Sequence, residues 1–244
     1  MDSIITRQPP ASVTYDLSHP AQTIITLPAG STWSSGLHFH RSHDEYLVVH
    51  RGSVRVRLDS RVETVNVRPG DAPIEIAVPR GVWHDWGRAT TSHATSDCDL
   101  AQEDVVVIER TDPADGEKTV FFWNLNTVIL QQTPWWFPAR RMWDWWVTFR
   151  LFVIFAELDN VPVMLDVPAL VAGTWLQGAI CRLLGEACVE RWVRGMDESW
   201  SLLVLWVAQL IGHTLGLGAV GRKFTPLEAY QESVATGKKG KKEM

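Results

Sequence analysis

The chain has few of the features that would place it quickly. Its three cysteines, Cys98, Cys181 and Cys188, match no zinc or thiol-redox spacing. Their odd number argues against a disulfide framework and suits a reducing compartment. There is no surplus of positive charge: the formal net charge is −5, which excludes a bulk electrostatic footing for nucleic acid. Residues 1–30 lack a basic start followed by an apolar core, so no secretory signal peptide is expected. There is no internal repeat, and the only low-complexity tract is the lysine-rich end, "GKKGKKEM".

The 244 residues are enough for one large domain or a compact domain with a sizeable appendage. Tryptophan is abundant, and ten of the 13 lie after residue 120, so the two halves differ in kind. Before that point, "TIITL" (23–27), "YLVVH" (46–50), "SVRVRL" (53–58), "RVETVNV" (61–67) and "DVVVIER" (104–110) are β-branched and partly alternating. Turn residues separate them at "PAGS", "HRGS", "LDSR", "RPGD" and "VPRG". Short strands at this spacing predict an antiparallel sandwich or barrel over 1–112. The polar stretch "RTDPADGEK" then marks a boundary, and 113–244 is expected to be a hydrophobic helical region.

The chemistry concentrates in "GLHFHRSHDEYLVVHRG" (36–52). His38 and His40 are two apart, so in a strand they share a face. Glu45 returns to that face after a turn, and "VPRGVWHDW" later supplies His84 at the start of another strand. Three imidazoles and a carboxylate suit one divalent transition metal, Fe, Mn, Zn, Ni or Co. Such a shell leaves one or two positions open for substrate, water or oxygen.

These residues resemble the cupin family. His38, His40, Glu45 and Gly52 follow its first motif, and Pro79, Gly81 and His84 its second. The departures are Thr32 where a glycine is usual, Arg88 at an asparagine position, and Gly70 three residues too far from Pro79; none removes a ligand. The resemblance implies a double-sheet β-barrel, or jelly roll, holding a metal through His38, His40, Glu45 and His84. Cupins are often dimers, so the resemblance leaves room for a homodimer, although no dimer surface can be read in the sequence.

Other polar and aromatic groups carry two readings. Trp33, Trp83 and Trp86 flank the motif strands, either as an aromatic wall around an apolar substrate or as core. Arg55 and Arg57 alternate with Val54 and Val56, either solvated outside or lining the barrel to hold a carboxylate. His43 is expected at an exposed turn. His213, in a long apolar run, is expected to be buried and satisfied. No second acid–base group beyond the ligands stands out.

The second half carries apolar runs at 145–158, 167–185 and 200–220 that favour helices. From Ser199 to Gly221 there is no charge, long enough for a membrane helix over 200–220, since about 20 apolar residues span a bilayer. A buried helix of a larger soluble domain is the alternative. Gly212 and Gly216 offer a close-packing face. Trp135, Trp136, Trp143, Trp145 and Trp146 beside Arg140 and Arg141 suit either an interfacial segment or a cover over the outside of the barrel. Lys241 and Lys242 fit a dilysine retrieval signal, which points to the endoplasmic-reticulum membrane with the barrel in the cytosol, or the lysines form a solubilising tail; an intracellular protein is expected in either case. "DPADGEKTVFFWNLN" and "LFVIFAELDNVPVML" resemble single-cupin proteins of fungal secondary-metabolite gene clusters. That implies an oxygenase, isomerase or decarboxylase acting on a small hydrophobic metabolite. The competing expectations are a non-catalytic cupin that binds or carries an apolar ligand, and a membrane scaffold.

Overall fold

The structure, a computed structural model, describes residues 3–89, 102–137, 139–167 and 185–231. Cys98, Cys181, His93, most of the 167–185 run and the lysine-rich tail lie outside the described residues, as does the side chain of Cys188. The strands are β1 (Ile4–Arg7), β2 (Val13–Asp16), β3 (Thr23–Leu27), β4 (His38–Phe39), β5 (Asp44–Leu58), β6 (Arg61–Val67), β7 (Ile74–Val78), β8 (His84–Arg88) and β9 (Val105–Asp112). Then come α1 (Glu117–Leu130), α2 (Arg140–Glu157), the short β10 (Val161–Pro162) and α3 (Glu186–Thr214).

An antiparallel, cupin-type double sheet followed by helices is what these elements build. One layer runs β1-β2-β3-β9-β5 with β7 on the other side of β5; the second joins β6, β5, β8, β4 and β10. The hinge between layers is β5 itself. Its first half pairs with β9 and β7, its second with β6 and β8. The "HRGS" turn expected between two strands is thus a bend within one strand. The backbone shifts register between Val49 and Arg51, and the buried positions change phase from Glu45, Leu47 and Val49 to Val54 and Val56. Gly52 makes the bend: its φ is +91°, and a Cβ there would stand 2.8 Å from Val105 Cγ2.

Strict alternation fills the interior. Thr23, Ile25 and Leu27 of β3 face in, as do Val105, Val107 and Glu109 of β9. Trp86, Ile25, Leu27 and Leu47 are fully buried, each worth roughly 1.5–3 kcal/mol of apolar transfer.

The helical half packs onto this barrel. β10 pairs with β4, setting Pro162 opposite His38 and Val161 opposite Phe39. Phe122 of α1 meets Tyr15 of β2 with ring centres 4.9 Å apart. α3 buries a stripe at helical spacing, Val189, Val193, Asp197, Ser201, Leu205 and Ala208. Gly212 lets α3 approach α2 closely, since a Cβ there would meet Val153 Cγ2 at 2.9 Å.

The expected membrane helix over 200–220 is corrected. Among the described residues, no helix is long and apolar enough to cross a membrane. α3 starts at Glu186 and carries Glu190, Arg191, Arg194, Asp197 and Glu198 before the uncharged run begins. It stops at Thr214, and the chain turns back so that Ala219 is buried in the core. The uncharged run is therefore about two-thirds helix, and its last third turns back. Outside the buried stripe, Trp192, Met196, Trp200, Leu203, Trp206 and Leu210 remain exposed.

Candidate functional site

His38, His40, Glu45 and His84 come together in the barrel, all buried, with candidate ligand atoms within 4.8 Å of one another. β4 and β8 are paired so that His38 stands directly opposite His84. β5 brings Glu45 back under them.

The hydrogen bonds fix how the rings face. Nδ1 of His38 donates to the Gly36 carbonyl at 2.7 Å, and Nδ1 of His84 to the Val82 carbonyl at 3.0 Å. Nδ1 of His40 donates to the Asp159 carbonyl. A carbonyl can only accept, so each Nδ1 carries the proton and each Nε2 turns inward. Burial, reinforced by the neighbouring rings, holds His38 well below the ordinary histidine pKa. Burial and then Lys118 lower His40. His40 is thus neutral, with a bare Nε2 3.0 Å from Glu45 Oε2; His84 Nε2 lies 2.8 Å from the same oxygen. For His40, lone pair facing lone pair at that distance is unfavourable, and a cation between them reverses the sign. The donor set therefore fits a divalent ion, and these are the four residues that could hold it.

Two charged groups at the site escape notice in the sequence. Lys118, from the first turn of α1, reaches Glu45 Oε1 at 2.6 Å and Glu109 Oε2 at 3.0 Å. Glu109, inward on β9, also accepts from Trp86 Nε1 at 2.7 Å. Burial works against the Glu45 charge, but Lys118 leads the groups that outweigh it and keeps the carboxyl well below its usual range. Burial pushes Glu109 up to about 7 although Lys118 pulls it down, with Glu45 adding to the rise. Burial opposes the Lys118 charge, and Glu109 and Glu45 more than restore it. The inward phase of β9 would have marked Glu109. Nothing local marks Lys118, because its partners are more than seventy residues away in one case.

A cavity of about 190 Å³ opens beside His38, between the barrel and the first two helices. Trp33, Tyr15, Arg7, Glu109 and Lys118 line its barrel side, while Phe121, Phe122, Leu125, Leu151 and Phe155 supply an apolar wall. Trp33 is thus at the cavity. Trp86 stacks edge-on behind it at 4.9 Å and is core. Trp83 sits in a separate cluster with Phe39, Val161 and Leu205, its indole donating to Glu198. Arg55 and Arg57 do not line the cavity: they pair with Asp85 at 2.5 Å and Asp166 at 2.8 Å.

His43 is not at an exposed turn. It is buried, with Nδ1 2.7 Å from Asp159 and Nε2 3.0 Å from Asp115, and those hydrogen bonds raise it to about 9. Asp159 also accepts from the backbone amides of Arg41, Ser42 and His43. One residue of the helical half thereby braces the turn after His40 and orients the His40 ring. His213, expected to be buried, is exposed and stands 3.8 Å from Glu157.

A buried three-histidine, one-glutamate cluster inside an antiparallel double sheet defines a cupin-type domain. The family model described as "Cupin domain" matches residues 23–96, the part of the chain that supplies all four. Among solved structures the chain is similar to the capsular polysaccharide assembling protein CapF from Staphylococcus aureus. Identity is 17%, coverage 44% of this chain and 28% of that one, and TM-score 0.32. It is also similar to KdgF from Halomonas sp., at 14% identity over 44% and 85% of the two chains, TM-score 0.30. A cupin 2 conserved barrel domain protein from Rhodopseudomonas palustris gives 14%, 44% and 69%, TM-score 0.31. The chain spans less than a third of the length of CapF. No curated protein matches it.

Proposed function

We propose that the protein is a metal-dependent cupin enzyme that modifies a small hydrophobic molecule in the cavity beside His38. The observation that carries this reading is the convergence of His40 and His84 Nε2 on Glu45 beside an aromatic-walled cavity. A divalent ion held by His38, His40, Glu45 and His84 would supply Lewis acidity toward a carbonyl or enol oxygen, or a site for oxygen. The chain's own groups do the rest. Phe121, Phe122 and Phe155 exclude water from one side of the cavity, and Trp33 orients a flat body against the other. Lys118 is a fixed positive charge within reach of the site, and Glu109 holds it in place. This pairing favours oxygenation, isomerisation or decarboxylation, in which an anionic oxygen develops and is stabilised. A secondary metabolite fits the cavity's apolar wall.

Metal content of purified, metal-loaded protein, compared with His40→Ala, tests the reading, followed by turnover with the retained metal. Near one equivalent in the wild type and a loss of tenfold or more in the variant are expected. Less than a tenth of an equivalent in the wild type overturns it. In place of membrane crossing, the exposed tryptophans of α3 support surface association, with the barrel on the cytosolic side. Flotation with phosphatidylcholine vesicles is expected, and its loss in Trp192→Ser/Trp200→Ser; a wild-type protein that stays at the bottom of the gradient refutes it.

A further inference from the structure

The cavity is chemically two-sided, and its polar side is not accounted for by the metal ligands. Arg7, at the end of β1, lines it. Its Nε donates to Asn126 Oδ1 of α1 at 2.7 Å, and its guanidinium carbon lies 5.3 Å from the Tyr15 ring centre. Arg7 Nη2 is buried with no hydrogen-bond partner among the described residues. A buried guanidinium N–H without an acceptor is costly, and such groups are found where a ligand completes them.

Charge balance points the same way. Around the cavity, Glu45 and Glu109 are matched by Lys118 and Arg7. A divalent ion would therefore bring charge that no lining group offsets, and a buried excess of positive charge calls for an anion. Size and surface limit that anion. An apolar cavity of about 150 Å³ holds a benzene molecule. One of about 190 Å³ with aromatic walls has room for one ring and a small substituent. With Nε given to Asn126, Arg7 offers its unpartnered Nη2, which suits one singly charged carboxylate; a polyanion would be left short of partners.

We propose that the substrate is a small apolar carboxylate, about one ring in size, whose carboxylate is held by Arg7 Nη2 and whose body lies between Trp33 and the phenylalanines of the first two helices. This names the substrate class for the enzymatic reading above and rests on it. Arg7 acts as an anchor at the cavity end of β1; Lys118 and the ligands act on the other end of the bound molecule.

The test is calorimetric titration of the full chain with benzoate and with benzyl alcohol, its neutral counterpart, in metal-free and zinc-loaded forms. Benzoate is expected to bind metal-free wild type at least tenfold tighter than benzyl alcohol, and zinc to increase the preference. Arg7→Gln is expected to bring the ratio near one without weakening benzyl alcohol. Arg7→Lys, which keeps the charge and gives up the bond to Asn126, is expected to retain a preference for benzoate. Equal binding of the two probes by the wild type overturns the proposal, as does a failure to bind either. If Arg7→Lys loses the preference as fully as Arg7→Gln, Arg7 serves only to dock α1 and the proposal falls. Failure of the enzymatic reading shows separately, as absent zinc uptake, while the metal-free titrations still report on Arg7.

Discussion

Replacing His43 with glutamine should flatten the dependence of stability on pH between about 7.5 and 9.5. His43 sits between Asp159 and Asp115, and its pKa rises from 6.5 to about 9. A folded pKa above the unfolded one contributes stability that is complete below 6.5 and is lost as pH climbs through 9. The full shift corresponds to about 3 kcal/mol at 1.36 kcal/mol per unit, of which about 2 disappears across this window. Asp115 is 36% exposed, so solvent screening removes roughly half, leaving ~1 kcal/mol. The window is chosen to leave other groups out. Glu109 and Glu117, both pushed up to about 7 by burial, lose stability mainly between 4.5 and 7. His38 and His40, depressed by burial, act below 6.5. Urea unfolding in chelator, with the same buffers for both proteins, gives the two slopes. A variant that loses stability with pH as steeply as the wild type would refute the assignment.

Two further outcomes follow from the geometry. Lys118→Met leaves the Glu45 and Glu109 carboxylates without their shared cation, so a loss of about 3–5 kcal/mol is expected in metal-free protein. Zinc should recover more stability in that variant than in the wild type, because the ion replaces the missing charge beside Glu45; denaturation with and without zinc decides, and equal recovery counts against the arrangement. Gly52→Ala places a methyl 2.8 Å from Val105 Cγ2 at a φ of +91°, which should cost roughly 2–4 kcal/mol and lower Tm by several degrees. An unchanged Tm would show that β5 does not turn between the two layers at this residue.

Much of the barrel was legible because strands announce themselves locally. β3 and β6 fall on "TIITL" and "RVETVNV" residue for residue, and β8 begins at His84. The continuity of β5 was not legible: a glycine between two alternating runs reads equally as a hairpin turn or as a bend, and only the partners on each side separate them. The helical half misled for a related reason. An uncharged run has the same composition whether it crosses a bilayer, covers a core or ends in a turn, and Ala219 folding back under α2 is a long-range event.

The sequence by itself determined the four candidate ligands, since residue type and motif spacing pick out His38, His40, Glu45 and His84, which lie on or beside β4, β5 and β8. Tertiary structure alone decided what surrounds them. Lys118, Glu109, Arg7 and Asp159 come from a helix, two other strands and a loop far apart in the chain. No local period links them; they meet because buried charges and buried N–H groups must find partners, and the fold brings those partners within reach.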